Sequence, residues 1–489
     1  MIRLYLHKTL LIIFSLSLFL HGSDNRRLAM GNMQISLPDV FNQFNIWQVT
    51  ANPAGLLASD SLNWMFYSAN HLRRGYEVRR WWDAKELAST NLIFSGQKRL
   101  GRNQMFYGYF RYGWENHFDL RRSIDQHPYD LDPFVLADST EGNFNFYGPE
   151  IYAVYNYHFT NGFSIGTAIR YNIRQGLKTI FTRPEIIHRR FDVDLAVSYA
   201  LNNNFTIGFT FSYFDRQDLT KLVTQPDKRE PITYRYRGEF EYKSITGKGD
   251  RIADYDGYIM TPSVQWQTTR WEGIIFAGYF YRWHELYDNP TLPVYDGYYQ
   301  EQRYFTRLAN RYYLNAARQT LFAVDGYFGY IENWAKEPHA GYMIYRAFYH
   351  RYGLTLGFSH QFDDIPLTVA AEGEFKRDLP DRRDYLAHVY RVGTLDDTEL
   401  RFGGEYTVAH IYHIRAGFYY HWYEEDPVWK YFGNMSGPGA TAGFGYDSEF
   451  HAIDFYFKYG GLSSCGCSAQ NSGKRNNSLD IVLSWKQFF

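Results

Sequence analysis

His413, His421 and Glu405 are of the right types for acid–base work. The two histidines fall on the polar face of one alternating segment, "YHIRAGFYYHW" (412–422), and the glutamate on the segment before it, "ELRFGGEYTV" (399–408). A general base needs an oriented partner and a nucleophile within hydrogen-bond reach. No lipase or rim-protease motif accompanies these residues, so they read as hydrogen-bonding groups inside the fold, and no catalytic residue is assigned. Cys465 and Cys467 in "SSCGCS" (463–468) are the only two cysteines. Structural metal sites use more ligands and commonly a C-x₂-C spacing, so no metal and no cofactor is assigned. A strained disulfide and a pair of free thiols both stay open. The remaining chemistry-bearing residues are charges of both signs on polar faces: Arg170, Arg174, Arg190, Asp192, Asp194, Glu372, Glu374, Glu405 and Arg415. Rings of one sign make an ion-selective pore; interleaved signs pair and stiffen a wall.

The elements that carry these residues alternate strictly. In "FSIGTAIRYNIR" (163–174) Phe163, Ile165, Ile169, Tyr171 and Ile173 oppose Ser164, Gly166, Ala168, Arg170, Asn172 and Arg174. "RFDVDLAVSYAL" (190–201) repeats the pattern. A period of two over ten or more residues fits a strand and not a helix. Runs of about 10 to 13 residues match a tilted strand crossing a bilayer, which takes about 9–11. Strands in soluble sandwiches are shorter, about five or six. Tyr, Phe and Trp total 96 of 489 residues, yet mean hydropathy is −0.46. That combination needs strands with one apolar and one polar face.

Short connections ("LGRN", "TNG", "NNN", "TTRWEG", "DD", "AHI", "SEF") alternate with long ones. This is the pattern of an antiparallel outer-membrane β-barrel with short turns at one end and long loops at the other. The expected wall has 14–20 strands, best counted as 18. Residues 231–245 read either as a hairpin within a loop or as two more wall strands. The closing "LDIVLSWKQFF", with Trp485 and the terminal Phe489, resembles the signal by which bacterial outer-membrane barrels are taken up by the barrel-assembly machinery. The basic, aromatic "RRGYEVRRWW" (73–82) is a candidate contact for lipid and lipopolysaccharide, or a solvated loop. With 51 basic and 52 acidic residues and no long block of one sign, nucleic acid is excluded as a partner. Residues 1–22 read as a cleaved signal peptide: Arg3 and Lys8 precede an apolar run from Leu10 to Leu20 that is too short to span a bilayer. Residues 23–60 are then a hatch or plug segment, and 61–489 the transmembrane barrel.

The knot Asn52-Pro53-Ala54-Gly55-Leu56 comes just before the first alternating run. It has turn chemistry: Asn52 can bond the backbone two residues on, Pro53 presets φ, and Gly55 permits φ > 0. It resembles the signature that ends the N-terminal hatch in the FadL-type family of outer-membrane transporters, and the segments 399–420 and 440–460 resemble that family too. The resemblance implies a 14-stranded barrel with a plug and passive uptake of a hydrophobic molecule such as a fatty acid. Related secretion-linked barrels share both features, so a scaffold in a secretion or surface-assembly complex is the alternative, and a general porin the third.

Overall fold

A computed structural model describes residues 50–488 except 59–63, 76–83, 122–123, 125–131, 139, 181–182, 223–231, 239–241, 247–249, 289–293, 340, 425–433 and 465–474. The expectations for the leader, residues 23–49, Cys465, Cys467 and Phe489 lie outside these residues, as does most of 73–82.

The chain is almost entirely strand. The first half carries β1 (Met65–Arg74), β2 (Glu86–Arg99), β3 (Gln104–Arg121), β4 (Leu136–Asp138), β5 (Glu141–His158), β6 (Phe163–Lys178), β7 (Pro184–Asn202), β8 (Phe205–Leu222), β9 (Ile232–Tyr236), β10 (Tyr242–Thr246) and β11 (Arg251–Gln267). The second half carries β12 (Trp271–Asp288), β13 (Val294–Tyr313), β14 (Thr320–Lys336), β15 (Met343–Gln361), β16 (Leu367–Asp384), β17 (Val389–Val392), β18 (Leu395–Val408), β19 (Tyr412–Tyr423), β20 (Met435–Asp447), β21 (His451–Ser464) and β22 (Arg475–Phe488). β17 and β18 face β16 in one register, Asp381 opposite Val392 and Asp378 opposite Leu395, and so form a single wall strand. The wall therefore has 18 antiparallel strands. It closes where β1 pairs with β22, from Met65 opposite Phe488 to Arg74 opposite Leu479. Closure pairs every wall strand on both sides and leaves the wall no edge.

Alternation decides which face each residue takes. On β6, Ile165 and Ile169 are 40% and 47% exposed, whereas Ala168 and Arg170 between and beside them are buried. Large exposed apolar side chains recur around the wall, among them Phe110, Leu195, Phe209, Ile275, Leu356, Phe402 and Leu483. No water-soluble surface tolerates so continuous an apolar belt. The exterior is a lipid-facing one, and the molecule is a transmembrane outer-membrane β-barrel. No helix among the described residues is long and apolar enough to cross a membrane.

The best count of 18 holds, two other expectations need correction, and the open reading of 231–245 is resolved as the hairpin. The wall has 18 strands, not the 14 that the FadL resemblance implies. Strands run up to 20 residues rather than 10 to 13, because hydrogen bonding continues past the apolar belt and carries the wall beyond the membrane. Residues 232–236 and 242–246 are a hairpin outside the wall: β9 pairs with β10 on one side and β4 on the other. Both β-alternation and strand propensity are satisfied equally well by a wall strand and by an inner one, so periodicity could not separate them.

Candidate functional site

Two elements fold into the barrel, one near each end. At the end of the short turns, Asn52 caps a 3-10 turn, Pro53–Ala58. Its Oδ1 accepts from Ala54 N at 2.9 Å, and its backbone oxygen accepts from Gly55 N at 3.0 Å. A capping Asn followed by Pro is the favoured way to start such a turn. Gly55 is not the left-handed residue; Ala51, with φ 53°, is. Gly55 lies inside the helical turn, where φ is negative, so the chain reverses one residue before the asparagine.

This turn is seated on the inner wall. Ala54 O accepts from Asn156 Nδ2 (2.8 Å, β5) and Ser198 Oγ (3.3 Å, β7), while Asn52 Nδ2 donates to Val197 O (3.3 Å). Between them, on β6, a Cβ on Gly166 would come within 2.3 Å of Pro53 C, so the missing side chain is the seat. Asn52 and Leu56 are wholly buried, and Leu56 packs with Met105, Tyr107, Tyr109, Tyr152, Val154 and Ala168.

At the end of the long loops, β4, β9 and β10 form a small inner sheet. Its β4 edge is tied to β6: Lys178 Nζ donates to both oxygens of Asp138 at 2.8 Å and to Thr140 O at 3.0 Å, with both ionic side chains fully buried. Across the sheet, Arg235 pairs with Asp288 and Arg237 with Asp296; Arg251 of β11 also holds Asp288, at 3.0 Å, and Asp296. A Cβ on Gly238 would lie 2.3 Å from an Asp384 carboxylate oxygen on β16. β6 and β16 are eight wall positions apart in the ring of 18, so the inner sheet crosses the mouth almost from side to side. Burial and Arg251 lower the Arg235 guanidinium to about 10, which leaves it charged at neutral pH. Beneath the sheet Phe134 enters a cluster with Tyr255, Leu286, Tyr299, Ile331, Ile344, Tyr345 and Tyr349.

The charges singled out in the sequence occupy the inner face in paired groups. Arg170 lies 3.8 Å from Glu150 and 3.5 Å from Asp192, Arg190 Nε is 2.7 Å from Asp192, and Arg174 is 3.7 Å from Glu115. Asp194 bonds Ser212. On the far wall Arg401 gathers Glu374 and Glu399 with Glu372 at 4.0 Å, and Arg415 bridges Glu405 (2.6 Å) and Asp454 (2.8 Å). These are two separate sets, not one ring. His421 Nε2 is 2.8 Å from Asp397, and His413 lies between Thr407 (3.3 Å) and Glu405 (3.5 Å). Trp485 faces outward against Phe66, ring centroids 5.7 Å apart. Among the described residues no group of three or more His, Cys, Asp or Glu could hold a metal.

The sequence reading missed the inner sheet and its anchors Lys178, Asp138, Arg235, Asp288 and Asp296. The only signal for it was the ambiguity over 231–245.

An 18-stranded outer-membrane barrel with both a seated N-terminal turn and an inner sheet is thus the class of protein defined here. The chain belongs to a family of unknown function (DUF6850), which it matches over residues 53–423. No curated protein matches it. Among solved structures it is similar to CymD, a monoaromatic hydrocarbon channel (11% identity, 96% of this chain and 99% of that one, TM-score 0.33). It is also similar to the outer membrane transporter YddB from Escherichia coli (8%, 88% and 81%, 0.42) and the copper transporter OprC (7%, 88% and 81%, 0.44). Likeness at this level says nothing about cargo.

Proposed function

We propose that the protein is a gated outer-membrane channel for passive uptake of a hydrophobic small molecule. The observation that carries the reading is the Asn52–Leu56 turn, held inside the barrel by Asn156, Ser198 and the vacancy at Gly166. A turn needed only to enter the first strand has no use for a seat on three other strands. In this reading residues 23–60 act as the hatch, after removal of residues 1–22, and the turn is its hinge onto the wall. A hydrophobic cargo suits the aromatic cluster around Phe134, Tyr255 and Tyr299 beneath the inner sheet. The paired lumen charges suit a pore without strong ion selectivity. No bond is made or broken and no cofactor is used. Phe489 and Trp485 would serve recognition by the assembly machinery, and the long loops contact with lipopolysaccharide.

The test is single-channel conductance of the refolded protein in a planar bilayer, with and without residues 24–60. A closed intact protein and an open truncation support the gated channel. Two equally closed proteins point to a non-transporting scaffold, and two open ones to a general porin; either overturns the reading.

A further inference from the structure

Arg346 of β15 and Arg383 of β16 stand directly opposite each other on the outer face of the wall. Like charges at opposed positions repel. Both guanidinium groups also converge on one ring: Arg346 lies 4.5 Å and Arg383 5.2 Å from the centroid of Phe348. Each has one carboxylate. Arg346 donates through Nε (2.9 Å) and Nη2 (2.6 Å) to a single oxygen of Glu332, which faces outward opposite Phe348 but is sealed under its neighbours at 1% exposure. Arg383 donates through Nε (3.2 Å) and Nη2 (2.7 Å) to Asp381 of its own strand, with side chains 40% and 32% exposed. Neither set of bonds uses Nη1. A pair as open as Arg383–Asp381 is weakly held. An anion above Phe348 meets two guanidinium groups at once, one of them with a weak counter-ion.

Their height on the wall selects the anion. On β15 the outward side chains below Arg346 include Phe348, Tyr352, Leu354, Leu356 and Phe358, and the middle three are well exposed. From Phe358 to Phe348 the strand climbs about 25 Å at the usual rise and tilt, which is the height of the apolar band of such barrels. Arg346 and Arg383 therefore lie just past the band at the long-loop end, level with the headgroups of the external leaflet. The hydrogen-bonded row that starts at these two arginines runs through Trp334, Gln300 and Trp283 to Asp256 opposite Asp215. Outward charge thus changes sign along the row, and an anion is placed only at its β15–β16 end.

We propose that Arg346 and Arg383, over the Phe348 ring, bind a phosphate of lipopolysaccharide and so fix one glycolipid molecule to the outer wall. The planar guanidinium fork suits phosphate oxygens, and bonds between two charged partners are the strong ones. The phosphate takes Arg383 from Asp381, which water can then solvate, and leaves Glu332 with Arg346. The acyl chains run down the wall against Tyr352, Leu354 and Leu356. The site needs only the membrane-embedded wall, and stands whether or not the barrel is a gated channel.

Native mass spectrometry of the full-length protein refolded in detergent counts the lipid it retains, with bisphosphorylated lipid A, its dephosphorylated form and phosphatidylglycerol each added as probe. The wild type is expected to hold one lipid A about 10-fold more tightly than either of the others. Each ion pair is then removed whole, as Arg346→Gln with Glu332→Gln or Arg383→Gln with Asp381→Asn, so that no charge is left uncompensated. Both variants are expected to lose the preference, whereas Arg189→Gln with Asp215→Asn, at the other end of the row, keeps it. Heat-modifiability gels confirm that each variant is folded. Equal retention of the three lipids by the wild type overturns the proposal even where a variant fails to fold. A preference that survives in both β15–β16 variants overturns it too, as does one that falls equally far in the Arg189 variant.

Discussion

Gly166 and Asn156 show how much of a seat can rest on single residues. Nothing about Gly166 in its own strand demands glycine, since an inward Ala or Ser would serve the wall as well. It is the approach of Pro53 to 2.3 Å of a notional Cβ that forbids a side chain. Gly166→Val is expected to leave the barrel folded and unseat the turn, giving an open conductance like that of the protein lacking residues 24–60; a closed Gly166→Val channel counts against the seat. Asn156→Ala removes one of the two donors to Ala54 O. It is expected to cost about 1 kcal/mol, seen as partial opening. Lys178 is the more severe case. Lys178→Met strands Asp138, which is wholly buried, and breaking such a pair costs about 3–5 kcal/mol. Hydrogen exchange of β4 is expected to speed up sharply, and Lys178→Met with Asp138→Leu to recover much of the loss.

Elements divide into those that periodicity defines and those that contact defines. The wall strands belong to the first kind. Their inner and outer faces follow from the residue types alone, because a closed sheet in lipid admits polar groups on one side only. β4, β9 and β10 belong to the second. Three residues, Leu136–Asp138, cannot announce a strand by alternation, and β9 alternates like any wall segment. What turns them inward is the set of ion pairs with β6, β12 and β13, whose partners lie about 40 to 60 residues away in sequence. Arg235→Ala with Arg237→Ala is expected to detach the β9 edge, measured as faster exchange of Ile232–Tyr236 with no change in the wall. Equal loss of protection in β12 and β13 would show that the pairs serve the wall instead.

For the molecule as a whole, closure is the decisive event. The β1–β22 seam carries Asp480, which holds Arg73 at 2.7 Å and His71 at 3.1 Å from the opposite strand. Asp480→Ala removes the acceptor that Arg73 and His71 share across the seam and is expected to cost about 1–3 kcal/mol. It would lower the temperature at which the compact barrel band is lost on a heat-modifiability gel; an unchanged midpoint would show that backbone pairing alone secures the seam.

Residue types along the chain were enough for the wall: its all-β class, its faces, most of its turns, a range of 14–20 strands with 18 as the best count, and the lipid-facing exterior. These are set by local alternation, and lipid enforces that rule on every strand alike. The sequence also marked Asn52–Leu56 as a turn, because capping and proline geometry are local. Only the tertiary structure decided that this turn sits on β5, β6 and β7, that Ala51 and not Gly55 carries the positive φ, and that two loops build a sheet across the mouth. Each of those depends on groups far apart in the chain meeting in a closed ring. No window of residues records the shape of the space left inside it.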